Sequence, residues 1–355
     1  MATVKVNLGK DSYEIEIERG LLERVGEKIR ALTKAEKIAV ITDDHVEPLY
    51  GERIRKVLTE AGFDVRVIAL PAGEASKNMK VLSDVYDALS EFNMSRSDAL
   101  VTLSGGVPGD LGGFAAATYM RGIPFFQIPT TILAQIDSSV GGKVAVDLPS
   151  GKNLAGAFYQ PKGVFIDPDL LKTLPTRYVH DGLAEAVKYG CIGDRELFEI
   201  FESLETEKDL EKHIEEIILH SVLQKTRVVE EDEFDTGKRQ VLNFGHTIGH
   251  AVERYFHYST FTHGEGVAIG MSLLTEQTEK MGLTEKGTAS RLIRVLHKLS
   301  LPTSIGVPAE DLIPQIMHDK KRRGKKITLV VLKKIGEAEL LTIPTDELSR
   351  YIVTE

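Results

Sequence analysis

ALVTLSGGVPGD, at residues 99–110, joins an apolar run to a glycine-rich turn and leads directly into an alanine-rich segment. The apolar run is typical of a buried strand. Glycines at a strand-to-helix turn let backbone N–H groups approach a pyrophosphate, whose charge is favoured by a helix N-terminus. The spacing differs from the Gly-x-Gly-x-x-Gly fingerprint, and many glycine-rich turns are only turns. The stretch therefore predicts strand, turn and helix, with nucleotide binding as a hypothesis.

Similar apolar runs occur on both sides of this stretch, and helical patterns such as residues 81–89 and 111–119 separate them. The runs lie at residues 37–42, 65–70 and 123–128. Strands that alternate with helices indicate βαβ units, in which a parallel sheet carries helices on its faces. The first half of the chain is therefore predicted to be an α/β domain.

The rest of the chain has a different character. Residues 4–8 and 13–17 alternate like the strands of a hairpin, and a second strand pair is predicted at 327–332 and 339–343. Between about residues 181 and 299 strand signals vanish and long helical patterns replace them. The second half is therefore predicted to be mainly helical.

Composition and charge describe an ordinary globular protein. Its 355 residues are 42% hydrophobic and 27% charged, which predicts about two domains. A net charge of −9 opposes general attraction to nucleic acid or anionic lipid. The single cysteine, Cys191, excludes a disulfide framework and fits a reducing compartment. No signal peptide or membrane-spanning run is visible. We therefore expect a cytoplasmic protein whose partner is a small molecule, not nucleic acid or a membrane.

Four of the ten histidines fall within residues 242–263. His246 and His250 stand four residues apart, and His263 opens the phrase His-Gly-Glu-Gly. Residues at that spacing share one face of a helix, so two imidazoles can converge on one ion or one substrate. Such pairs are more often a polar helix face than a ligand pair. The spacing leaves both interpretations open.

Polar residues in the first half allow two interpretations each. Asp43 ends the predicted strand at 37–42, where a carboxylate can accept ribose hydroxyls or cap a following helix. Residues 127–153 are predicted to form a long loop, which in a compact domain is more often functional than idle. Lys143 and Lys152 stand beside glycines in that stretch. Each could present its ammonium group to an anion or simply be solvated.

Three cations of the second half are less ordinary. Lys225 lies on an apolar helical stripe, where a lysine snorkels outward or meets an anion. Lys188 follows Glu185 by three residues, a pairing that is usually a surface salt bridge. Arg239 could hold a phosphate or carboxylate bidentately. Together these residues indicate a pocket that binds a metal, a nucleotide and a doubly anionic small substrate.

With these residues in view, the chain resembles the 3-dehydroquinate synthase family of sugar-phosphate cyclases over nearly its whole length. The resemblance implies a homodimer whose α/β NAD-binding domain, residues 1–178, has a parallel sheet with flanking helices. A mainly α-helical metal- and substrate-binding domain, residues 179–355, follows it. The most diagnostic segments are 105–121, 129–143, 151–161, 185–188, 242–253 and 263–265.

The resemblance also implies a role for each matched residue. Zinc or cobalt would be held by Glu185, His246 and His263, while His250 would face the substrate as a proton carrier or an orienting donor. Catalytic and substrate-binding positions would be Arg121, Asp137, Lys143, Lys152, Asn153, Lys188, Lys225, Arg239, Asn243 and Lys320 or Lys321. NAD would contact Asp43, Glu74, Lys77, Gly106, Val107, Pro108, Gly109, Asp110, Thr130, Thr131, Lys143, Lys152, Leu170, Leu171, Lys172 and Thr173.

The family's reaction converts 3-deoxy-D-arabino-heptulosonate 7-phosphate, a phosphorylated sugar acid, to 3-dehydroquinate and phosphate without net redox change. NAD⁺ takes a hydride, phosphate leaves by β-elimination, the hydride returns, and the ring opens and closes by an aldol step. Departures from the family pattern at Ser104, Pro108, 144–147 and Asp235 remove no residue assigned to this chemistry.

Three alternatives remain beside this interpretation. Related cyclases that make deoxyinosose or valiolone products act on substrates without a carboxylate, so the complete set of cations disfavours them. Metal-dependent polyol dehydrogenases share the architecture but perform net redox. A non-catalytic scaffold is expected to have lost some of Glu185, His246, His263, Lys152 or Arg239, and all five are present.

Overall fold

A seven-stranded sheet lies at the centre of the first half of the chain. The computed structural model describes residues 1–320 and 325–352, with the backbone alone at 318–320, and separates the chain into units Met1–Pro175 and Thr176–Glu355. The strands of the first unit are β1 Ala2–Val6, β2 Tyr13–Ile17, β3 Lys37–Asp43, β4 Asp64–Leu70, β5 Ala99–Ser104, β6 Phe125–Pro129, β7 Lys143–Leu148, β8 Gly151–Phe158 and β9 Val164–Ile166.

The order of the main sheet is β1-β2-β9-β6-β5-β3-β4. Only the β1–β2 hairpin is antiparallel within it, and all other neighbours are parallel. The predicted N-terminal hairpin and the predicted parallel sheet are therefore both confirmed. The carboxyl ends of β3, β5 and β6 lie at one edge of the sheet, because parallel strands run in the same direction.

Helices cover both faces of this sheet. They are α1 Val25–Leu32, α2 Glu52–Glu60, α3 Met79–Glu91 and α4 Gly106–Thr118. Alternate residues of β3 enter two separate cores, Ile38 and Val40 on one face and Ala39 and Ile41 on the other. A strand buried on both faces reads as a continuous apolar run, as the sequence of this strand does.

The prediction of a long loop at residues 127–153 is wrong. Strands β7 and β8 form a separate antiparallel pair there, and β7 packs against α4. A Cβ atom at Gly113 of α4 would lie 2.4 Å from Val144 of β7, so the glycine permits this close approach. Glycines within and beside β8, and its mostly exposed side chains, hide the alternation that identifies a strand.

The second unit is mainly helical and ends in the predicted hairpin, so both predictions are confirmed. Its elements are α5 Thr176–Ile192, α6 Arg195–Ser203, α7 Glu207–Glu231, α8 His246–Tyr255, α9 His263–Lys280, α10 Thr288–Lys298, α11 Ile313–Lys320, β10 Lys326–Lys334 and β11 Glu337–Pro344. Within the described ranges, none of the helices has the length and apolar character needed to cross a membrane.

Candidate active site

Three helices of the second unit position the predicted metal ligands. Glu185 lies on α5 and is fully buried. His246 is the first residue of α8, directly after Gly245, whose φ of 81° lets the chain turn into the helix. His263 is the first residue of α9, where Thr262 and Glu265 form a capping box. Both histidines therefore lie at helix N-termini.

The side chains of these three residues converge on one point. The Nε2 atoms of His246 and His263 each lie 3.3 Å from Oε1 of Glu185. The ligand atoms of the three residues all lie within 4.8 Å of one another. The Nδ1 atom of His246 faces the carbonyl oxygen of Phe244 at 3.1 Å, which leaves Nε2 directed at the carboxylate. One carboxylate and two imidazoles are a ligand set that zinc accepts.

The carboxylate of Glu185 fits a cation better than it fits its protein neighbours. Neither oxygen accepts a hydrogen bond of normal geometry from the described residues, although Lys188 forms an ion pair with it. Burial alone would raise the pKa of Glu185, but Lys188 and the imidazole of His246 outweigh burial and hold the pKa well below its usual value. The group is therefore a buried anion on which a lysine and two imidazoles converge, a charge state that a metal ligand needs.

The same charge acts on His263. Burial would lower the pKa of this imidazole, but the nearby carboxylates of Glu185 and Glu253 raise it to about 10. Carboxylates on two sides thus favour positive charge at this ring. A divalent cation at Nε2 supplies that charge in place of a proton.

His250 belongs to a second, overlapping group. Its side chain, Glu253 and His263 also place ligand atoms within 4.8 Å of one another. The ring centroid of His250 lies 5.4 Å from that of His246 and 5.9 Å from that of His263. Unlike Glu185, His250 is exposed. The histidine pair of α8 thus contributes one ring to each group.

Two residues that position this cluster were not predicted from the sequence. Glu253 contacts His263, and it follows His250 by three residues on the same helical face, a spacing that could have identified it. Asp181 accepts a 2.6 Å hydrogen bond from the backbone nitrogen of Gly264 and so caps α9. Asp181 stands four residues before Glu185 on α5. Its role depends on a contact 83 residues away, which no local pattern shows.

The predicted cations of this unit are buried, which makes the surface salt-bridge interpretation of Glu185 and Lys188 wrong. Lys188, Lys225 and Arg239 expose 1%, 8% and 2% of their surface. Arg239 donates a 2.6 Å hydrogen bond to the carbonyl oxygen of Glu233. Burial of three cations in one unit is costly unless anions meet them.

A cavity of about 470 Å³ opens beside the histidines. Lys320 is described by its backbone alone and Lys321 lies outside the described residues, so neither can be placed against it. Asn243 and His250, predicted to face the substrate, both line the cavity. Its other lining residues include Asp235, Gln240, His246, Thr247, Arg254 and Lys326.

In the first unit, the glycine turn begins α4 at the carboxyl end of β5. Gly106, Val107, Pro108, Gly109 and Asp110 form the first turn of the helix. This arrangement directs the free backbone N–H groups of the turn away from the helix body. The predicted strand, turn and helix are all present.

The threonines after β6 lie against this turn. The backbone nitrogen of Thr130 donates to the carbonyl oxygen of Ser104 at 2.9 Å, and its buried hydroxyl has no hydrogen-bond partner in the described parts of the chain. A Cβ atom at Gly105 would lie 3.1 Å from the Thr131 methyl group. A glycine-lined turn beside an unsatisfied buried hydroxyl fits a phosphate-bearing cofactor such as NAD.

The charged candidates of this unit are paired with one another. Lys77 donates hydrogen bonds to Asp110 at 2.6 Å and to Asn153 at 2.7 Å. Burial raises the pKa of Asp110 to about 6, although Lys77 opposes the shift. Lys152 lies 3.3 Å from Glu74. The structure thus brings five predicted residues from three separate segments into three contacts.

Asp43 ends β3 and acts as a local cap. Its Oδ1 atom accepts hydrogen bonds from the backbone nitrogens of His45 at 3.0 Å and Val46 at 2.9 Å. The predicted capping role is therefore confirmed for one oxygen, Oδ1. The second oxygen keeps acceptor capacity, so ribose binding stays a prediction.

The last segment predicted to contact NAD forms a short 3-10 helix. Pro168–Thr173 contains Leu170, Leu171, Lys172 and Thr173. The hydroxyl group of Tyr50 lies 2.7 Å from Thr173 Oγ1 and 3.3 Å from the carbonyl oxygen of Leu170. Since Tyr50 follows Asp43 by seven residues, this bond ties the segment to the chain beyond β3.

Three predicted substrate residues of this unit lie on other elements, and one of them, Asp137, is near enough to help raise the pKa of Asp110. Asp137 lies in the turn Ala134–Ser138 and is half-buried, and Lys143 is the exposed first residue of β7. Arg121, with φ of 68°, follows the carboxyl end of α4. The glycine turn is at the other end of that helix, whose 13 residues span about 20 Å. Arg121 is therefore not brought to the glycine turn of its own unit.

Known proteins match this chain over nearly its full length. Two family models, the 3-dehydroquinate synthase N-terminal and C-terminal models, match residues 67–181 and 182–322. A 3-dehydroquinate synthase from Clostridium acetobutylicum is 52% identical over 99% of both chains. One from Enterococcus faecalis is 48% identical over 99% of this chain and 98% of its own. The chain belongs to the 3-dehydroquinate synthase family. The resemblance seen in the sequence is thus confirmed.

Solved structures share the fold of this 3-dehydroquinate synthase family member. A 2-deoxy-scyllo-inosose synthase complexed with carbaglucose-6-phosphate, NAD⁺ and Co²⁺ matches with a TM-score of 0.87 and 24% identity, over 99% of this chain and 100% of that one. The 2-epi-5-epi-valiolone synthase ValA from Streptomyces hygroscopicus subsp. jinggangensis 5008, with NAD⁺ and Zn²⁺ bound, matches with a TM-score of 0.83 and 26% identity, over 95% of this chain and 94% of that one. The predicted fold class is therefore confirmed.

Proposed function

We propose that this protein converts 3-deoxy-D-arabino-heptulosonate 7-phosphate to 3-dehydroquinate and phosphate, using NAD and a divalent metal. The observation that carries the proposal is 52% identity over nearly the full length of a 3-dehydroquinate synthase, in a chain whose Glu185, His246 and His263 have converging ligand atoms. The redox steps cancel, because the hydride removed from the substrate is returned to it.

The metal would be held by Glu185, His246 and His263, whose ligand atoms already converge. When bound, zinc or cobalt polarises a substrate hydroxyl, and NAD⁺ accepts and returns the hydride. His250 lines the same cavity as His246 and would carry a proton or orient a hydroxyl. Asn243, on that cavity too, would donate its amide hydrogens to substrate oxygens.

The glycine turn at residues 105–110 would bind the pyrophosphate of NAD. Its support is the first turn of α4 together with the buried, unsatisfied hydroxyl of Thr130. Lys77 is held by Asp110 and Asn153, which fixes the side chains beside that turn. The Asp43 oxygen that is not used for capping would accept a ribose hydroxyl.

Buried cations would meet the charges of the substrate, which carries a phosphate and a carboxylate. Lys188, Lys225 and Arg239 are buried cations and would bind the anionic groups of the substrate through charge-assisted hydrogen bonds. Lys152 of the first unit would meet the leaving phosphate, and Arg121, Asp137, Lys143, Asn153 and Lys320 or Lys321 would complete substrate binding. The protein is further proposed to be a cytoplasmic homodimer.

The rival activities have less support. Identity to the solved 2-deoxy-scyllo-inosose and 2-epi-5-epi-valiolone synthases is 24% and 26%, about half the identity to 3-dehydroquinate synthases. An iron-containing alcohol dehydrogenase shares the fold at 17% identity. Similarity this low does not favour the rival activities. Neither a dehydrogenase that performs net redox nor a cyclase whose substrate lacks a carboxylate is therefore preferred.

Release of phosphate from the heptulosonate phosphate, measured with NAD⁺ and zinc present, tests the proposal. We expect phosphate in step with 3-dehydroquinate and no accumulation of NADH. Prior chelation should abolish the release and zinc should restore it. No phosphate from metal-loaded, NAD-saturated protein would sink the proposal. Steady NADH from a simple polyol would instead favour a dehydrogenase, and turnover of a hexose phosphate without a carboxylate would favour a related cyclase.

A further inference from the structure

Helices α8 and α9, which begin with His246 and His263, pack unusually close together. A Cβ atom at Gly249 of α8 would lie 3.0 Å from the backbone of Gly266 on α9. Real Cβ atoms rarely approach so closely, so glycine at this position permits the contact. The close approach brings side chains of one helix to the metal-facing end of the other.

The side chain of Glu253 crosses this close contact between α8 and α9. It lies one turn beyond Gly249 on α8, and its Cγ atom lies 3.6 Å from the Cβ position of Gly266. Only 7% of Glu253 is exposed. Its Oε2 atom lies 3.3 Å from Nδ1 of His263. The stem of the glutamate thus crosses the helix contact and its carboxylate ends at the side of His263 that faces away from Glu185.

We propose that Glu253 is a positioning residue that accepts the Nδ1 hydrogen of His263 and thereby directs Nε2 at the metal held with Glu185 and His246. This inference rests on the proposed metal site. Metal-binding histidines commonly donate their second ring N–H to a carboxylate or carbonyl oxygen, which fixes the tautomer and raises the basicity of the ligand nitrogen.

The two imidazoles are oriented by different acceptors. His246 faces a backbone carbonyl, that of Phe244, at 3.1 Å, whereas His263 faces the charged side chain of Glu253. A backbone acceptor is built into the turn before α8 and cannot be removed by substitution. The carboxylate of Glu253 can be removed, so the contribution of the second acceptor is measurable.

A competing assignment makes Glu253 a metal ligand itself. Glu253, His250 and His263 also place ligand atoms within 4.8 Å of one another. In that arrangement His263 would bind through Nδ1, and Glu185 would not be a ligand. The convergence of two imidazole Nε2 atoms on the fully buried carboxylate of Glu185 favours the first assignment.

Zinc affinity of the full chain tests the proposal, measured by competition with a chromophoric chelator in wild type, Glu253→Gln and Glu253→Ala. Loss of such an outer contact typically weakens metal binding 10- to 100-fold. We expect about 10-fold for Glu253→Gln, which keeps an acceptor oxygen, and about 100-fold for Glu253→Ala. Each variant should still bind one metal, and the visible spectrum of the Co²⁺ form should keep the wild-type coordination number. Glu202→Gln, which removes a half-buried carboxylate paired with Arg291 in the same unit, is the matched control.

Three results would overturn the inference. Wild-type affinity in both Glu253 variants would show that the contact does not act on the metal. A Co²⁺ spectrum that reports the loss of one ligand in Glu253→Gln would make Glu253 a ligand. Wild-type protein that binds no zinc would remove the metal site itself, whereas the first result leaves that site intact and the second moves it to His250, Glu253 and His263. The isosteric Gln variant keeps the packing at Gly266, so unfolding of the Ala variant would not decide the matter.

Discussion

In the glycine-turn region of the first unit the charged candidates are paired one to one, whereas in the histidine cluster of the second unit two imidazoles and Lys188 converge on one carboxylate. Lys77 is bonded to Asp110 and Asn153, and Lys152 lies beside Glu74. Glu185 is fully buried, yet neither of its oxygens accepts a hydrogen bond of normal geometry from a described residue.

The difference follows from how the two ligands are recognised. A nucleotide is bound largely by backbone N–H groups and a helix N-terminus, so the surrounding side chains can satisfy one another beforehand. A metal needs lone pairs that converge with nothing between them. The second unit should therefore depend on its ligand far more strongly than the first, and the substitutions below test this.

Removal of one converging imidazole should have the largest effect. His246→Ala leaves Glu185 and His263 as a two-residue site, so we expect zinc binding to be lost and kcat/KM to fall on the order of 10³-fold or more, since metal stabilisation of charge is worth several kcal/mol. Affinity for NAD⁺, measured by fluorescence quenching or calorimetry, should stay within about twofold of wild type, because the glycine turn is untouched.

His213→Ala is the matched control for this change, since His213 is a partly exposed histidine of α7 that pairs with a surface glutamate, Glu216. It should bind zinc and turn over as wild type does. A His246→Ala protein that lost NAD⁺ affinity as strongly as zinc would contradict the contrast between the two regions.

Lys152→Ala should have the next largest effect, on turnover and not on folding. Its ion pair with Glu74, 3.3 Å long, is about 40% exposed, and such pairs contribute about 0–1 kcal/mol to stability. If Lys152 meets the leaving phosphate, kcat should fall by about 10²- to 10³-fold, the usual cost of losing one charge-stabilising donor. Phosphate release and thermal unfolding, measured on the same sample, separate the two effects.

Lys333→Ala provides the comparison, because the pair of Lys333 with Glu339 is similarly exposed, 44% and 42%. Both variants should lose equally little stability, and only Lys152→Ala should lose activity. If Lys152→Ala were unfolded while Lys333→Ala was not, Lys152 would be a structural residue.

The architecture of both units could be predicted because it depends on local patterns. The apolar runs at β3, β5 and β6 are continuous, as strands buried on both faces must be. The β7–β8 pair was missed because the glycines and mostly exposed side chains of β8 carry no clear alternation. Its position depends instead on the fit of Val144 against Gly113, a contact between residues far apart in sequence.

The metal ligands could be named only through family resemblance. Spacing alone pointed to His246 and His250 as a pair and did not separate their roles. The structure separates these two by burial and by direction, as only His246 faces Glu185. Glu253 and Asp181 were missed because both act across a helix contact, on His263 and on the start of α9. Residues that orient a site carry no motif of their own, so their roles depend on tertiary contacts.

The smallest expected effect concerns Asp43, where the two interpretations of the sequence can still be separated. One oxygen caps the turn after β3 by accepting from His45 and Val46. Asp43→Asn keeps a capping oxygen but removes the charge, so stability should hardly change, while Asp43→Ala should lose about 1 kcal/mol in chemical unfolding. If the second oxygen accepts a ribose hydroxyl, the loss of charge should weaken NAD⁺ binding about five- to tenfold in the Asn variant. NAD⁺ affinity equal to wild type in Asp43→Asn would leave Asp43 as a cap alone, and the first unit would then bind its cofactor without a charged ribose contact from β3.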